Sequence, residues 1–384
     1  MKTKNTQTLA VMGSWLLICS AIATARNIVP GGLWPDNNDT HINAHGGGML
    51  VHEGQTYWFG EHKIQGRGGN KAQVGVHCYS SPNLTTWTDQ GIALTVSDDP
   101  SSDIIKGSVI ERPKVIYNKA TQKFVMWFHL ELKDQGYRAA RTGVAISDTV
   151  TGPYKFIHSL RPNAKTWPLD FSESKQNGPA TEEGLKSWSE PWLKAVREGL
   201  FVRRDFQGGQ MSRDMTLFVD DHGKAYHIHS AEENLTLHIS ELSNDYLSFT
   251  GKYRRIFPAG HNEAPAIFKR RGKYYMLTSG CTGWAPNPAR LAVAESIWGP
   301  WKALGNPCQG INLENDLGPE KTFGGQSTFV LPVPGEKEAF IAMFDMWRPR
   351  NPIDGRYLWL PIQFTETGPR IPWQSPWNVT SLDP

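Results

Sequence analysis

The 384-residue sequence has little net charge of either sign. Lysine and arginine number 40 against 37 aspartate and glutamate residues, which gives a formal net charge of +3. A chain this close to balance lacks the basic surface that nucleic acids or anionic membranes require, so we expect neither as a partner. The 39% hydrophobic content is that of an ordinary globular protein.

Cysteine is scarce, with four residues in the whole chain. Neither their spacing nor that of the histidines matches a zinc site, so we expect no metal and no cofactor. Export would permit a disulfide, and a loop-closing bond between Cys281 and Cys308 is plausible. Cys78 lies in a strand-like run and is expected to be a buried thiol.

Long hydrophobic runs are absent after the N-terminus. Lys2 and Lys4 precede an apolar stretch from Leu9 to Ile22, and the small residues Ala23-Thr-Ala25 follow it. This stretch is short for a membrane anchor, so residues 1–25 are interpreted as a cleaved signal peptide. We expect a secreted or periplasmic protein without stable membrane insertion after cleavage. Four N-glycosylation sequons would matter in a eukaryotic host: Asn38, Asn83, Asn234 and Asn378.

Glycine (37), proline (26) and tryptophan (15) are abundant, as in a turn-rich all-β protein. Strand patterns separated by turns restart five times, with three strands and a tail in each unit. The tails Asp148–Tyr154 and Glu295–Trp301 match each other. Five such units predict an all-β, five-bladed β-propeller over residues 26–384. Residues 158–210 interrupt the pattern and are expected to form an insertion with one short helix around Glu182 to Val196.

The first strand of each propeller blade lines the central channel, so the residues that begin these strands should converge. Carboxylates forced together repel, and at least one should have a raised pKa. A single glutamate at a strand start can be merely solvated, whereas three acids at equivalent positions favour a site. The converging residues are Asn43, His45, Glu111, Asp214, Glu263 and Gln326.

Several aromatic residues and histidines have two interpretations. Trp284, Trp347 and Trp359 could stack on sugar rings or pack between blades. His227 and His229 alternate with apolar residues and are expected to be strand residues with structural partners.

The motifs resemble those of glycoside hydrolase family 43, in particular its branch of exo-β-1,3-galactanases. The resemblance implies a five-bladed propeller and an inverting exo-glycosidase that acts on arabinogalactan polysaccharide or oligosaccharide. We expect the protein to be a monomer. The resembling stretches cover nearly the whole mature chain in order: 43–48, 57–61, 111–115, 213–218, 263–265, 278–284 and 323–328.

The resemblance also implies roles for individual residues. Glu263 is similar to the family's general acid, and Glu111 to the third carboxylate that tunes the acid's pKa. Gln326 is expected to position the attacking water. The start of blade one, where most of the family has a general-base aspartate, has no carboxylate here. Sugar-binding roles fall on Glu61, Asp214, Tyr137 and Thr282, with Asn43, His45 and Trp284 as further candidates.

The leading hypothesis is therefore a secreted inverting exo-β-1,3-galactanase or β-galactosidase that releases galactose. One alternative is an α-L-arabinofuranosidase or β-xylosidase of the same fold. The other is a non-catalytic carbohydrate-binding propeller, which the missing carboxylate of blade one allows. The retention of the three acids Glu111, Asp214 and Glu263 argues against this non-catalytic alternative.

Overall fold

The computed structural model describes residues 27–71, 73–283, 285–336 and 338–382. The expected signal peptide and Trp284 lie outside the described residues. The chain folds as an all-β propeller, as predicted, with three short helices. None of the helices within these ranges is long and apolar enough to cross a membrane.

Four sheets contain four antiparallel strands each, in the order of the chain. Sheet one contains β1 (His45–His52), β2 (Gln55–Lys63), β3 (Gln73–Ser81) and β4 (Thr88–Thr95). Sheet two contains β5 (Val109–Asn118), β6 (Lys123–Glu131), β7 (Arg141–Ser147) and β8 (Lys155–Leu160). Sheet three contains β9 (Met215–Val219), β10 (Ala225–Ala231), β11 (Thr236–Leu242) and β12 (Phe249–Ile256). Sheet four contains β13 (Glu263–Arg270), β14 (Lys273–Ser279), β15 (Arg290–Ala294) and β16 (Lys302–Gly305).

Two smaller sheets complete the described structure, so it has six sheets where the sequence predicted five. Sheet five contains β18 (Gln326–Pro332), β19 (Phe340–Met346) and β20 (Arg356–Pro361). The side sheet joins β17 (Cys308–Gln309) to the C-terminal strands β21 (Gln363–Thr365) and β22 (Gly368–Pro372). The sequence did not reveal the side sheet because its strands are short and β17 pairs with β22 in parallel across a large separation in the chain.

The first strands of sheets one to five surround the axis. β1 contacts β5, β5 contacts β9, β9 contacts β13, β13 contacts β18, and β18 contacts β1 again. The side sheet lies outside this closed cycle, since its strand β22 contacts β20 instead. The residues that begin the five inner strands are therefore brought to one end of one channel.

Three inner strands share a β-bulge close to this end. The register shifts after His45 in β1, after Glu111 in β5 and after Glu263 in β13. Each bulge includes a residue with positive φ: Gly46 (64°), Arg112 (55°) and Ala264 (52°). Bulges of this kind re-aim side chains at sheet ends. In β5 and β13 the bulge also contains a proline, directly after the residue with positive φ. This explains the repeated Glu-x-Pro pattern.

Tryptophan closes the ring between sheets one and five. Trp58 of β2 and Trp359 of β20 are fully buried, with ring centroids 4.9 Å apart, and Trp34 lies 4.8 Å from Trp359. The N-terminal Ile28 pairs with Trp377, so both ends of the described chain cover this seam. The packing interpretation is thus confirmed for Trp359.

The insertion is helical over a different range than predicted. Residues 158–160 still belong to β8, and the helices are α1 (Glu173–Gln176), α2 (Glu190–Arg197) and α3 (Leu200–Arg204). α2 begins at Glu190 because the Ser189 side chain caps it and Pro191 follows at the first turn. Trp192, Val196, Leu200 and Phe201 pack on Leu235, in the turn before β11 of sheet three. The insertion therefore shares a core with the propeller. This is expected, because the segment has too few apolar residues to form a core of its own.

The cysteines are all free among the described residues, so the expected Cys281–Cys308 disulfide is wrong. Cys308 is buried in the core beside the side sheet, whereas Cys281 lies near the channel, where its thiol faces the Asn234 carbonyl. Cys78 is a fully buried thiol, as expected. His227 and His229 are buried in β10 with their Nδ1 atoms 2.9 Å apart, which fits the structural role predicted for them.

Candidate active site

A cavity of about 450 Å³ opens at the end of the channel where the inner strands begin. This volume is within the range of small-molecule sites. Seven of the ten residues predicted for the site line it: His45, Glu61, Glu111, Tyr137, Asp214, Glu263 and Gln326. Side chains that were not predicted for the site also line it, among them Asn70, Arg112, His129, Asn234 and Asp345.

Glu263 begins β13 and is half-buried at the cavity wall. Its Oε1 accepts a hydrogen bond from Asn234 Nδ2 at 2.7 Å, and its Oε2 lies 3.4 Å from Gln326 Nε2. Burial, followed by the negative charge of Asp214, raises the pKa of Glu263 to about 7. A carboxyl with this pKa is protonated at mildly acidic pH and is acidic enough to donate its proton to a leaving group there.

Glu111 has the opposite electrostatic environment. Its burial alone would raise its pKa, but a hydrogen bond and the charge of His129, 2.8 Å away, lower the pKa below the usual value. Tyr137 donates a hydrogen bond to Glu111 Oε1 at 2.8 Å, and Asn70 donates another. Glu111 therefore stays ionised at the cavity wall. Its charge is placed to hold a sugar hydroxyl or to influence neighbouring groups.

Glu111, His129 and Asp214 are close enough to share a metal ion, since their ligand atoms lie within 4.8 Å of one another. His129, however, is placed between two carboxylates: Nδ1 faces Glu111 and Nε2 faces Glu131 at 2.9 Å. Although burial opposes its charge, these carboxylates raise the pKa of His129 to about 10. In this arrangement His129 forms ion pairs with Glu111 and Glu131, while Asp214 pairs with Arg112.

Arg112 is the central cation of the cavity floor and is 7% exposed. Its guanidinium donates to the Ser327 carbonyl at 2.9 Å and to Gln326 Oε1, and it lies 3.1 Å from Asp214 Oδ2. The positive φ of Arg112 turns its side chain into the channel. One arginine thus connects the inner strands of sheets two and five with the residue preceding β9.

Gln326 is held in one orientation by this arrangement. Its Oε1 accepts from Arg112, while its Nε2 donates to Ser279 Oγ at 2.9 Å and faces Glu263. The reversed amide would place an NH₂ group against the guanidinium, so the hydrogen-bond network fixes which end is oxygen. Gln326 therefore presents an immobile amide edge beside the acid candidate.

Glu61 of sheet one and Asp345 of sheet five also line the cavity. Glu61 is 2% exposed, with Oε2 at 2.9 Å from Lys63 Nζ and Oε1 accepting from the Arg112 backbone NH at 3.0 Å. A side chain at Gly46 would place its Cβ 2.2 Å from Glu61 Oε1, so only glycine fits there. Asp345 is 3% exposed, and burial raises its pKa to about 7.

Two of the predicted site residues within the described ranges do not line the cavity. Asn43 precedes β1, and its amide bonds the backbone of Lys63 in both directions, at 2.7 and 3.1 Å. Thr282 is exposed in the loop after β14, where its hydroxyl bonds the Ala285 carbonyl, one residue from the lining. Trp284 lies outside the described residues. Trp347 lines the cavity instead, with its ring centroid 4.5 Å from that of His45.

Three residues that the sequence did not predict for the site share one feature. His129, Ser279 and Asp345 lie on second strands, directly opposite Glu111, Glu263 and Gln326. Cross-strand partners project from the same face of a sheet, so each inner-strand residue brings a neighbour with it. The signal was available in principle, because Glu61, the partner of His45, occupies the same place in sheet one. Strand register cannot be read from the sequence alone, so the partners in the other three pairs were missed.

Comparison with known proteins agrees with this geometry. Residues 175–309 match the family model described as glycosyl hydrolases family 43. The chain is 55% identical to the solved family 43 β-1,3-galactosidase BT3683 with galactodeoxynojirimycin, covering 91% of this chain and 100% of that one with a TM-score of 0.86. It is 30% identical to an exo-β-1,3-galactanase from Phanerochaete chrysosporium with galactose, over 90% of this chain and 66% of that one (TM-score 0.70).

A curated relative is more distant. The β-D-galactofuranosidase xynD of Aspergillus niger is 25% identical over 59% of this chain, and the match spans about half of its length, 54%. The high identity to the β-1,3-galactosidase, over the whole of that chain, settles the family. The chain belongs to glycosyl hydrolase family 43.

Proposed function

We propose that the protein is an inverting exo-glycoside hydrolase that releases galactose from β-1,3-galactan or arabinogalactan. The observation that carries this proposal is Glu263, a carboxyl whose pKa of about 7 suits a general acid, at the wall of a cavity lined by polar groups for a sugar. Its position beside the immobile amide of Gln326 gives the reaction an acid and a water-positioning group at neighbouring strand starts.

The shape of the cavity supports exo action. Its inner end is filled by Arg112 and by Lys114, whose Nζ is buried against the Gly46 carbonyl at 2.9 Å. A chain cannot pass through this floor, so a polysaccharide would enter by one end. We infer that the ring itself is five-bladed, with the side sheet as an external addition, because the inner strands of five sheets close the cycle.

Relatives support the choice of sugar. One solved neighbour carries galactose and another carries galactodeoxynojirimycin, and both are named for action on β-1,3 linkages. We propose that Glu61, Glu111, Asp214 and Tyr137 bind the terminal galactose. We also propose that residues 1–25 direct export and that the mature protein works outside the cytoplasm as a monomer.

The test of this function is product analysis. With β-1,3-galactan we expect galactose as the released sugar, and proton NMR during the first minutes should show the α anomer, because single displacement inverts the β linkage. Arabinan and xylan should release little sugar. Preferential arabinose or xylose release would favour the arabinofuranosidase or xylosidase alternative. Binding of galactan without any product would favour a carbohydrate-binding propeller.

A second prediction concerns Trp188 of the insertion. Its side chain is 58% exposed, and its ring centroid lies 4.9 Å from that of His261, two residues before Glu263. The leaving part of the substrate must lie on the side of the acid, because the acid protonates the leaving oxygen. Trp188 is thus placed beyond Glu263, where an aromatic face could contact the departing galactan chain.

We expect Trp188→Ala to lower kcat/KM on β-1,3-galactan roughly 3- to 10-fold, which corresponds to an aromatic contact of about 0.5–1.5 kcal/mol. An aryl β-galactoside, which lacks the chain, should be hydrolysed at the wild-type rate, and Trp188→Phe should retain most activity on both substrates. An equal loss on both substrates would show instead that Trp188 supports the fold through Trp192, whose ring is 5.5 Å away.

A further inference from the structure

Inverting hydrolysis needs a second group besides the acid. The acid protonates the leaving oxygen, while a proton acceptor on the other side of the sugar takes a proton from the attacking water. The acid candidate is Glu263, and the acceptor has not been assigned. The inference below rests on the proposed hydrolytic function. Five carboxyl groups line the cavity and must be considered: Glu61, Glu111, Asp214, Glu263 and Asp345.

Three of these carboxylates already contact donors or cations. Glu61 has one oxygen on Lys63 and the other on a backbone NH. Glu111 accepts from Tyr137 with one oxygen and faces protonated His129 with the other. Asp214 Oδ2 accepts from the Ala264 NH at 3.1 Å and lies beside Arg112. Donors and cations stabilise the charged form of a carboxylate and so weaken it as a base.

Gln326 is also a poor proton acceptor in this arrangement. Protonation of an amide occurs at its oxygen, and here that oxygen accepts a hydrogen bond from the Arg112 guanidinium. Placing a positive charge on the oxygen would set two cations against each other. Its nitrogen already donates to Ser279. Gln326 can therefore orient a water molecule, but it has no atom that can accept the proton of that water.

Asp345 differs from these groups. It lies on β19 directly opposite Gln326, so both side chains project from the same face of sheet five. Its Oδ2 accepts from the Gly46 NH at 2.5 Å, which places the carboxyl at the start of β1, a strand that has no acid of its own. Its Oδ1 is buried and has no hydrogen-bond partner among the described residues.

We propose that Asp345 is the proton acceptor of the reaction. Gln326 holds the attacking water beside Asp345. The water oxygen forms a bond to the anomeric carbon while the bond from that carbon to the leaving galactan oxygen breaks. Glu263 gives its proton to the leaving oxygen, and the water gives one proton to Asp345 Oδ1. Solvent then removes the proton from Asp345 and returns one to Glu263, so both groups are restored.

The electrostatic environment is consistent with this role. Burial raises the pKa of Asp345 to about 7, although Arg112 opposes the rise. A base with a pKa close to the working pH combines a useful ionised fraction with real basicity. The groups that face it come from every strand packed around it: His45 of β1, Glu61 of β2, Arg112 and Lys114 of β5, Gln326 of β18 and Tyr357 of β20.

The decisive experiment is chemical rescue of Asp345→Ala with sodium azide. We expect kcat on an activated aryl β-galactoside to fall roughly 10²–10⁴-fold, the usual contribution of a general base. Azide needs no deprotonation and fits the space left by the carboxyl, so it should restore turnover and give α-galactosyl azide as product. Asp148→Asn, whose side chain is 80% exposed, is the matched control and should show neither loss nor rescue.

Asp345→Asn keeps the shape of the side chain and guards against misfolding. This variant should have the melting temperature and the galactose affinity of the wild type. In the wild type, protonation of Asp345 lowers kcat/KM at acidic pH, and the residual kcat/KM of the variant should not show this decrease. Either wild-type kcat in Asp345→Asn, or a folded, galactose-binding Asp345→Ala that forms no galactosyl azide, would overturn the proposal. Lack of hydrolysis by the wild-type enzyme would instead reject the proposed function.

Discussion

Glu263→Gln is expected to lower kcat on β-1,3-galactan by roughly 10³–10⁴-fold, near the top of the range for general acid catalysis. The leaving group is a sugar hydroxyl, which departs poorly without a proton, and the amide cannot supply one. Its shape is retained, so the hydrogen bond to Asn234 and the contact with Gln326 can re-form through the amide. Galactose binding, measured by calorimetry, should change little.

The leaving group and the pH provide two further readouts for this variant. A dinitrophenyl galactoside needs no protonation to depart, so Glu263→Gln should hydrolyse it at a rate close to wild type. Wild-type kcat/KM on galactan should fall as the pH rises through about 7, because Glu263 then loses its proton, and the variant should lack this fall. Glu295→Gln, at a side chain that is 77% exposed, is the control. Galactan hydrolysis by Glu263→Gln at the wild-type rate would remove Glu263 from the acid role.

Arg112→Met is expected to cost about 3–5 kcal/mol of unfolding free energy, the usual penalty for removing one partner from a buried ion pair. The methionine fills a similar volume but leaves Asp214, the Ser327 carbonyl and the Gln326 oxygen without their donor. It also removes the cation that keeps the pKa of Asp345 from rising further. Urea unfolding at several pH values measures the effect.

The pH dependence of this loss has a defined sign. The stability deficit of Arg112→Met should be largest at neutral pH and shrink as the pH falls, because protonation removes the unpaired carboxylate charges. Arg112→Lys should recover part of the stability but little activity, since one ammonium cannot bond Gln326, Ser327 and Asp214 in a planar fork. A deficit below about 1 kcal/mol would mean that water replaces the guanidinium and that Arg112 does not organise the site.

The sequence was sufficient to predict the propeller and seven of the residues that line the cavity. Strand alternation and the repeated tails located the inner strands, and the acids at their starts do converge. It failed for Asn43, because the chain before β1 turns that amide onto Lys63. It failed for Arg112, because a residue between Glu and Pro looks solvated until a positive φ turns it inward. Asp345 was missed because its register depends on a pairing within sheet five.

The hydrogen bond from Asn234 to Glu263 has a practical consequence for producing this protein. Asn234-Leu-Thr236 is a glycosylation sequon, and the same side chain lines the cavity. An N-linked glycan there would remove one of the two amide hydrogens and fill the space meant for substrate. Material made in a yeast or insect secretion system should therefore be assayed alongside material from a bacterial host. Low specific activity of a glycosylated preparation would then be explained by the glycan that the host adds, and it would not contradict the roles assigned to the catalytic residues.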